Sequence, residues 1–304
     1  MKNVVEINDL KKSFRKTEAV NGLSMEIPPG VVTAFLGPNG AGKTTTIKCL
    51  LNLLEPTEGS ISVLGQDSTK LGPGEFSRIG YVSENQELPL WMTVRQLMDY
   101  CRPLYDSWDV DFEKRMLKDF ELPLDAKLKA LSRGMRMKAS LLSSLAFRPR
   151  LVVLDEPFSG LDPLVRDEFI RGLLELTEDE GWTVMISSHD IEEVERLADR
   201  VAIINRGKLQ LHEGNEELQA RFRRVEVGLP NEAVSKGDLP ESWLNFQQEG
   251  RHMRWTHSRF EEGVLGSEIQ KRFGSDARLE VYTMTLREIF VELAKTYRLD
   301  GSGS

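Results

Sequence analysis

The stretch that most constrains this chain is Gly37-Pro38-Asn39-Gly40-Ala41-Gly42-Lys43-Thr44. It is set between an apolar run, Val31 to Leu36, and a segment with Ile47, Leu50, Leu51 and Leu54 on one helical face. Strand, glycine-rich turn and helix in this order match G-x-x-x-x-G-K-[ST] at every fixed position. The residue types follow from what a phosphate needs. The glycines let successive backbone N–H groups curl inward, where a side chain would obstruct an anion. The helix that follows adds the positive end of its dipole. Lys43 then reaches the β and γ phosphates of a nucleoside triphosphate, and the Thr44 hydroxyl suits Mg²⁺, with Thr45 beside it in the nucleotide-contacting stretch. A loop of this kind specifies the ligand class and leaves open what the energy is used for.

The rest of the chain supplies an α/β framework. Val4–Ile7 alternates toward a short strand, after which residues 10–14 lead into a turn, and Leu23–Ile27 forms a second strand closed by Pro28-Pro29-Gly30. Phe14 has two readings on its residue type alone: a strand-end core aromatic, or a flat face for a base. Strands are expected at Ser60–Leu64 and Ile79–Val82. Three amphipathic helices follow, carried by Val94, Leu97, Met98, Cys101, Leu104 and Tyr105, then by Phe112, Met116, Leu117 and Phe120, then by the stretch from Ser132 to Ala146. They separate two groups of strands, as an inserted helical subdomain would.

Leu151-Val152-Val153-Leu154 is a continuous apolar run, the pattern of a strand buried on both faces, and it ends in Asp155-Glu156-Pro157. Acids at the C-terminal end of such a strand sit where open α/β sheets bind ligands. Asp155 is placed to hold Mg²⁺ and Glu156 to orient or deprotonate a water. Ser159-Gly160-Leu161-Asp162 makes a turn before a Pro163-led helix, and Thr183–Ile186 is another buried strand, ending in Ser187-Ser188-His189. His189, again at a strand end, is suited to sense a γ-phosphate.

Beyond Lys208–His212 the pattern weakens to a small α+β domain. Its strands are expected at Arg224–Val227, Leu244–Gln248, His252–Thr256 and Arg278–Val281, with a last helix introduced by the capping box Thr285-Leu286-Arg287-Glu288. His252 and His257 have no metal-ligand spacing and read as surface residues. Cys49 and Cys101 read as buried free thiols on helix faces, consistent with a reducing compartment. The chain of 304 residues has a net charge of −8, which argues against a broad nucleic-acid surface, and it contains no stretch of membrane-spanning length. The ending, residues 300–304, reads as a linker.

A second motif, Leu131-Ser132-Arg133-Gly134-Met135, completes a set with the phosphate loop, Leu151–Pro157, Ser159–Asp162 and His189. In this order the set resembles the ATP-binding subunit of ABC transporters, over roughly residues 1 to 215. The similar branch is that of single-domain ATPases serving drug, antibiotic or polysaccharide exporters. The resemblance implies a P-loop NTPase core with an ABC-type helical subdomain at about 88–148, followed by an accessory domain at 216–299. It implies that Phe14 stacks on adenine, that Ser132 and Gly134 meet the γ-phosphate held by a second subunit, and that Asp162 belongs to the same nucleotide site. It further implies ATP and Mg²⁺ as ligands and a homodimer, or a heterodimer with a related ATPase. A separate integral membrane permease would be the partner, with the chain peripheral on the cytoplasmic face and no nucleic acid involved.

Two motifs depart from the family pattern, at three positions. Arg133 and Met135 stand where Leu-Ser-Gly-Gly-Gln has Gly and Gln, and Glu84 stands where a glutamine contacts Mg²⁺ and the attacking water. Glu84 is therefore counted with the catalytic and metal residues, with a retuned rate expected. The alternatives are a soluble ABC ATPase outside transport and a regulatory module that binds ATP with little hydrolysis.

Overall fold

The computed structural model describes residues 2–84, 86–230 and 239–300; the Gly-Ser ending at 301–304 lies outside the described residues. The chain divides into two compact units, Met1–His212 and Glu213–Ser304.

The first unit is built on strand β3 (Val32–Leu36), whose five residues are all buried. Its apolar run has no polar alternation because both faces are covered. Before it come β1 (Val5–Phe14) and β2 (Thr17–Ile27), and after it α1 (Lys43–Leu50), β4 (Glu58–Val63), the two-residue β5 (Gln66–Asp67) and one turn of helix, α2 (Pro73–Phe76). β6 (Ile79–Ser83) leads into the helical segment, α3 (Val94–Cys101), α4 (Val110–Asp119) and α5 (Arg133–Leu145). The chain then returns to the sheet in β7 (Leu151–Asp155), α6 (Pro163–Glu180), β8 (Thr183–Ser188), β9 (Arg200–Asn205) and β10 (Lys208–Gly214).

Six strands form one sheet in the order β10-β9-β3-β8-β7-β6, with β3, β6, β7, β8 and β9 in parallel register. A second sheet, β2-β1-β4-β5, is antiparallel. One core cluster joins the two sheets and α1: Ile7, Leu23, Phe35, Ile47, Leu50 and Val153 are all essentially inaccessible.

Local sequence explains the helix limits. Thr93 and Gln96 cap α3 reciprocally, Asp109 caps α4, Ser132 caps α5 and Asp162 caps α6, with Pro163 at its first position. The helical segment is pinned by the buried Glu113, whose carboxylate accepts from Arg102 Nη2 at 2.9 Å and Trp108 Nε1 at 2.6 Å.

Three sequence expectations need correction here. Residues 10–14 do not turn: a bulge after Ile7, with Asp9 at φ 45°, shifts the alternation and lets β1 run on to Phe14. Helix α3 stops at Cys101, just ahead of Pro103, so Leu104 leaves the apolar face and is 62% exposed. Cys49 is buried, whereas Cys101 is only half-buried.

The second unit begins with α7 (Asn215–Arg221) and β11 (Arg223–Gly228). It continues through β12 (Trp243–Glu249), β13 (His252–His257), α8 (Val264–Phe273), β14 (Arg278–Thr283) and α9 (Leu286–Asp300). Its antiparallel sheet runs β12-β13-β11-β14. Val225, Val227, Met253 and Trp255 alternate onto one face and pack with Leu265 and Ile269 of α8, and Trp243 stacks on Trp255 at 4.1 Å. The Thr285/Glu288 capping box forms in both directions. His252 is exposed as expected. His257 is not: it is 6% exposed, its Nδ1 accepts from the Arg259 N–H at 3.2 Å, and burial lowers its pKa.

Candidate nucleotide site

The phosphate loop sits at the C-terminal end of β3, anchored where the Gly37 N–H donates to the Ser188 carbonyl at 3.3 Å and the Gly207 N–H to the Ala41 carbonyl at 2.9 Å. Gly42 shows why the motif is strict. It has φ 109°, and a Cβ there would lie 2.4 Å from the Ala19 carbonyl oxygen, so any side chain would push the loop off the neighbouring strand. Pro38, Asn39 and Gly40 form the exposed crest, Ala41 is buried beneath it, Thr44 is exposed, and Thr45 is half-buried in the first turn of α1.

Lys43 is 5% exposed, an unusual place for an ammonium. It is held by three oxygens: the Gly37 carbonyl at 2.6 Å, the Pro38 carbonyl at 3.3 Å and Glu156 Oε1 at 3.1 Å. Glu156 itself occupies the left-handed region at φ 53°, which a residue with a Cβ adopts only where its surroundings enforce it. The Ser187 side chain and backbone do so, both accepting the Glu156 N–H, at 3.0 and 3.2 Å. The result is a carboxylate that faces Lys43 with one oxygen and His189 Nδ1 with the other, at 2.8 Å.

Asp155, 4% exposed, accepts from Ser187 Oγ at 2.7 Å and from Thr44 Oγ1 at 3.2 Å. Burial pushes its carboxyl above the usual carboxylate range; the two hydroxyls and Lys43 pull the other way without cancelling it. The structure thus brings Lys43, Thr44, Asp155, Glu156 and His189 together at the ends of β3, β7 and β8.

The remaining expected residues are placed differently. Phe14 is 44% exposed at the end of β1, so it is not a core aromatic, and Lys12 Nζ lies over its ring, 5.2 Å from the centroid. Ser132 is exposed and its hydroxyl accepts the Met135 N–H at 3.2 Å; Gly134 is buried, where a Cβ would lie 2.5 Å from Val165 Cγ1. Asp162 is exposed and caps α6 through the Val165 N–H at 3.0 Å. Glu84 is tied to the site by its backbone, the N–H donating to the Asp155 carbonyl at 3.0 Å, while its carboxylate accepts from Arg133 and Ser159.

Sequence reading gave no role to Ser159 or Ser187. The signal for Ser187 was its place at a buried strand's end, and for Ser159 its place in the Ser159–Asp162 turn; neither pointed to Asp155 or Glu84 as the partner.

The ABC transporter family profile matches residues 20–159. Among relatives, an uncharacterized ABC transporter ATP-binding protein of Bacillus subtilis, YhcH, is 36% identical over 69% of this chain and 69% of its own length. The lantibiotic transport ATP-binding protein SrtF of Streptococcus pyogenes is 36% identical over 72% of this chain and 96% of its own. The chain belongs to the ABC transporter ATP-binding family. The fold agrees: a solved ATP-binding subunit of an ABC transporter superposes with a TM-score of 0.65 at 25% identity, covering 71% of this chain and 92% of that one. The cassette is accordingly an ATP-binding, ATP-hydrolysing subunit, and among its described residues no helix is long and apolar enough to cross a membrane.

Proposed function

We propose that two copies of this cassette, or one copy and a related ATPase, close head-to-tail on ATP and drive a separate membrane protein, in the direction of export. The observation that carries the reading is the Glu156 carboxylate, strained into place between Lys43 and His189. A phosphate arriving at Lys43 competes with Glu156 for the ammonium and frees that carboxylate to accept a proton from water. His189, already in contact with Glu156, holds the γ-phosphate and water in line. Phe14, with its exposed ring, stacks on the adenine, and the exposed Ser132 with the backbone N–H of Gly134, on the other copy, completes the phosphate shell at a helix N-terminus. Asp162 lies on the same closing surface.

Asp155 and Thr44 fit a divalent cation: two hard oxygen donors 3.2 Å apart, one of them a buried carboxylate whose charge calls for compensation. Mg²⁺ bound there would neutralise phosphate charge.

The membrane partner would dock beside Leu90 and Trp91, which are exposed while neighbouring Met92 turns into the core. A cleft of about 650 Å³ opens there, lined by Glu84, Glu87, Leu90, Arg133, Arg136 and Met137. In this reading the cassette sits peripherally on the cytoplasmic face. Relatives named for lantibiotic transport and, in Bacillus licheniformis, bacitracin transport support an antibiotic-type cargo system. Residues 1–215, with the helical insert at 88–148, form the motor in this reading, and residues 216–299 an accessory domain. In a phosphate-release assay Glu156→Gln should lower turnover by about 10²- to 10⁴-fold; near-normal turnover would remove Glu156 from the base role.

A further inference from the structure

The two departures from the family pattern meet in space. Glu84 Oε1 accepts from Arg133 Nη2 at 2.8 Å and from Ser159 Oγ at 2.8 Å, so one carboxylate oxygen joins the loop after β6, the start of α5 and the turn after β7. We propose that Arg133 is a positioning residue for Glu84, and that the pair sets how tightly the site holds ATP. This rests on the ATPase reading above.

Three observations support the assignment. Arg133 is the first residue of α5, a helix with no acid in its first turn, where the dipole disfavours a cation. Glu84 supplies from outside the helix the negative charge that this end lacks. Next, the Glu84 N–H is fixed to the Asp155 carbonyl at 3.0 Å, so the pair is attached to the strand that ends in the buried carboxylate. Finally, the guanidinium lies in space that only a glycine leaves: at Gly160, with φ 66°, a Cβ would fall 2.2 Å from Arg133 Nη1.

The consequence is electrostatic. A carboxylate beside a phosphate site repels a polyanion; with Arg133 against it, that repulsion is offset, and the carboxylate is turned toward Ser159. The pair is partly exposed, 46% for Arg133 and 29% for Glu84, so its effect is modest and weakened by salt.

The test is a double-mutant cycle on the full chain. ATP affinity would be measured by equilibrium titration with a fluorescent ATP analogue, with Mg²⁺ and with EDTA, alongside turnover. In EDTA, Arg133→Gly should weaken binding about 3- to 10-fold, more at low salt than at high salt. The double variant Glu84→Gln/Arg133→Gly should return to within about 2-fold of the parent, and Arg133→Lys should recover part of the loss. If Arg133→Gly costs as much with Gln at 84 as with Glu, the proposal is overturned. A Lys43→Ala variant that binds ATP normally would instead overturn the nucleotide-site reading, so the two failures are distinguishable.

Discussion

The two units use buried charge in opposite ways. Among the described residues, the buried acids and lysines (Lys43, Glu113, Lys138, Asp155 and Glu193) all lie in the first unit, while the second buries only Thr256 and His257 as polar side chains. Burying a charge is costly unless it is paired, and four of the five are: Lys43 with Glu156, Glu113 with Arg102, Lys138 with Glu168, and Glu193 with Arg166, whereas Asp155 has only the hydroxyls of Ser187 and Thr44 and is left wanting a cation. The second unit is held by apolar stacking around Trp243 and Trp255. Burial alone does not separate chemistry from scaffolding, since Glu113 is as well buried as Lys43. Position does: Lys43 and Asp155 stand at the C-terminal ends of parallel strands, where the loops leave room for a ligand.

The comparison can be broken or sharpened by substitution. Lys43→Ala should weaken ATP binding by about 10²- to 10³-fold, because a buried cation facing phosphate is lost; unchanged affinity in calorimetry would contradict a ligand role for that charge. Trp255→Ala should cost the second unit about 3–5 kcal/mol of stability while leaving ATP affinity within about 2-fold; a matching loss of affinity would tie the two units functionally. Glu113→Gln should lower the melting temperature through about 1–3 kcal/mol of weakened pairing with Arg102 and Trp108, with turnover per folded molecule unchanged.

The smallest effect is on pH. His257 is held neutral to lower pH in the folded unit than in the unfolded chain, so its contribution is fully present above about 6.5, the ordinary imidazole value, and declines as pH falls below it. Thermal melts at pH 7.5 and 5.5 should show that loss in the parent and less of it in His257→Gln.

Much of the molecule was legible in the sequence, because periodicity and glycine placement are local. The phosphate loop, the Asp155-Glu156 pair and the four strands of the second unit all carry their pattern within a few residues. What escaped reading is instructive. Helix α8 shows only Leu265 and Ile269 on its buried face, with Gly263 and Gly266 diluting the pattern. The bulge at Asp9 breaks the alternation that would have extended β1. His257 ends a polar-looking run, yet the strand delivers it beside the tryptophan layer. Within the candidate site, the Glu84–Arg133 pair spans 49 residues and Ser159–Glu84 spans 75, distances at which no spacing rule operates.

The central claim, in its homodimeric form, is that the phosphate loop belongs to a site two copies complete together. Its most direct test is the molar mass of the Glu156→Gln chain by size exclusion with light scattering, with and without ATP. The account predicts a shift from monomer to dimer on adding ATP, abolished by the additional change Ser132→Arg at the closing surface. A chain that binds ATP by calorimetry and stays monomeric at high protein concentration would contradict it.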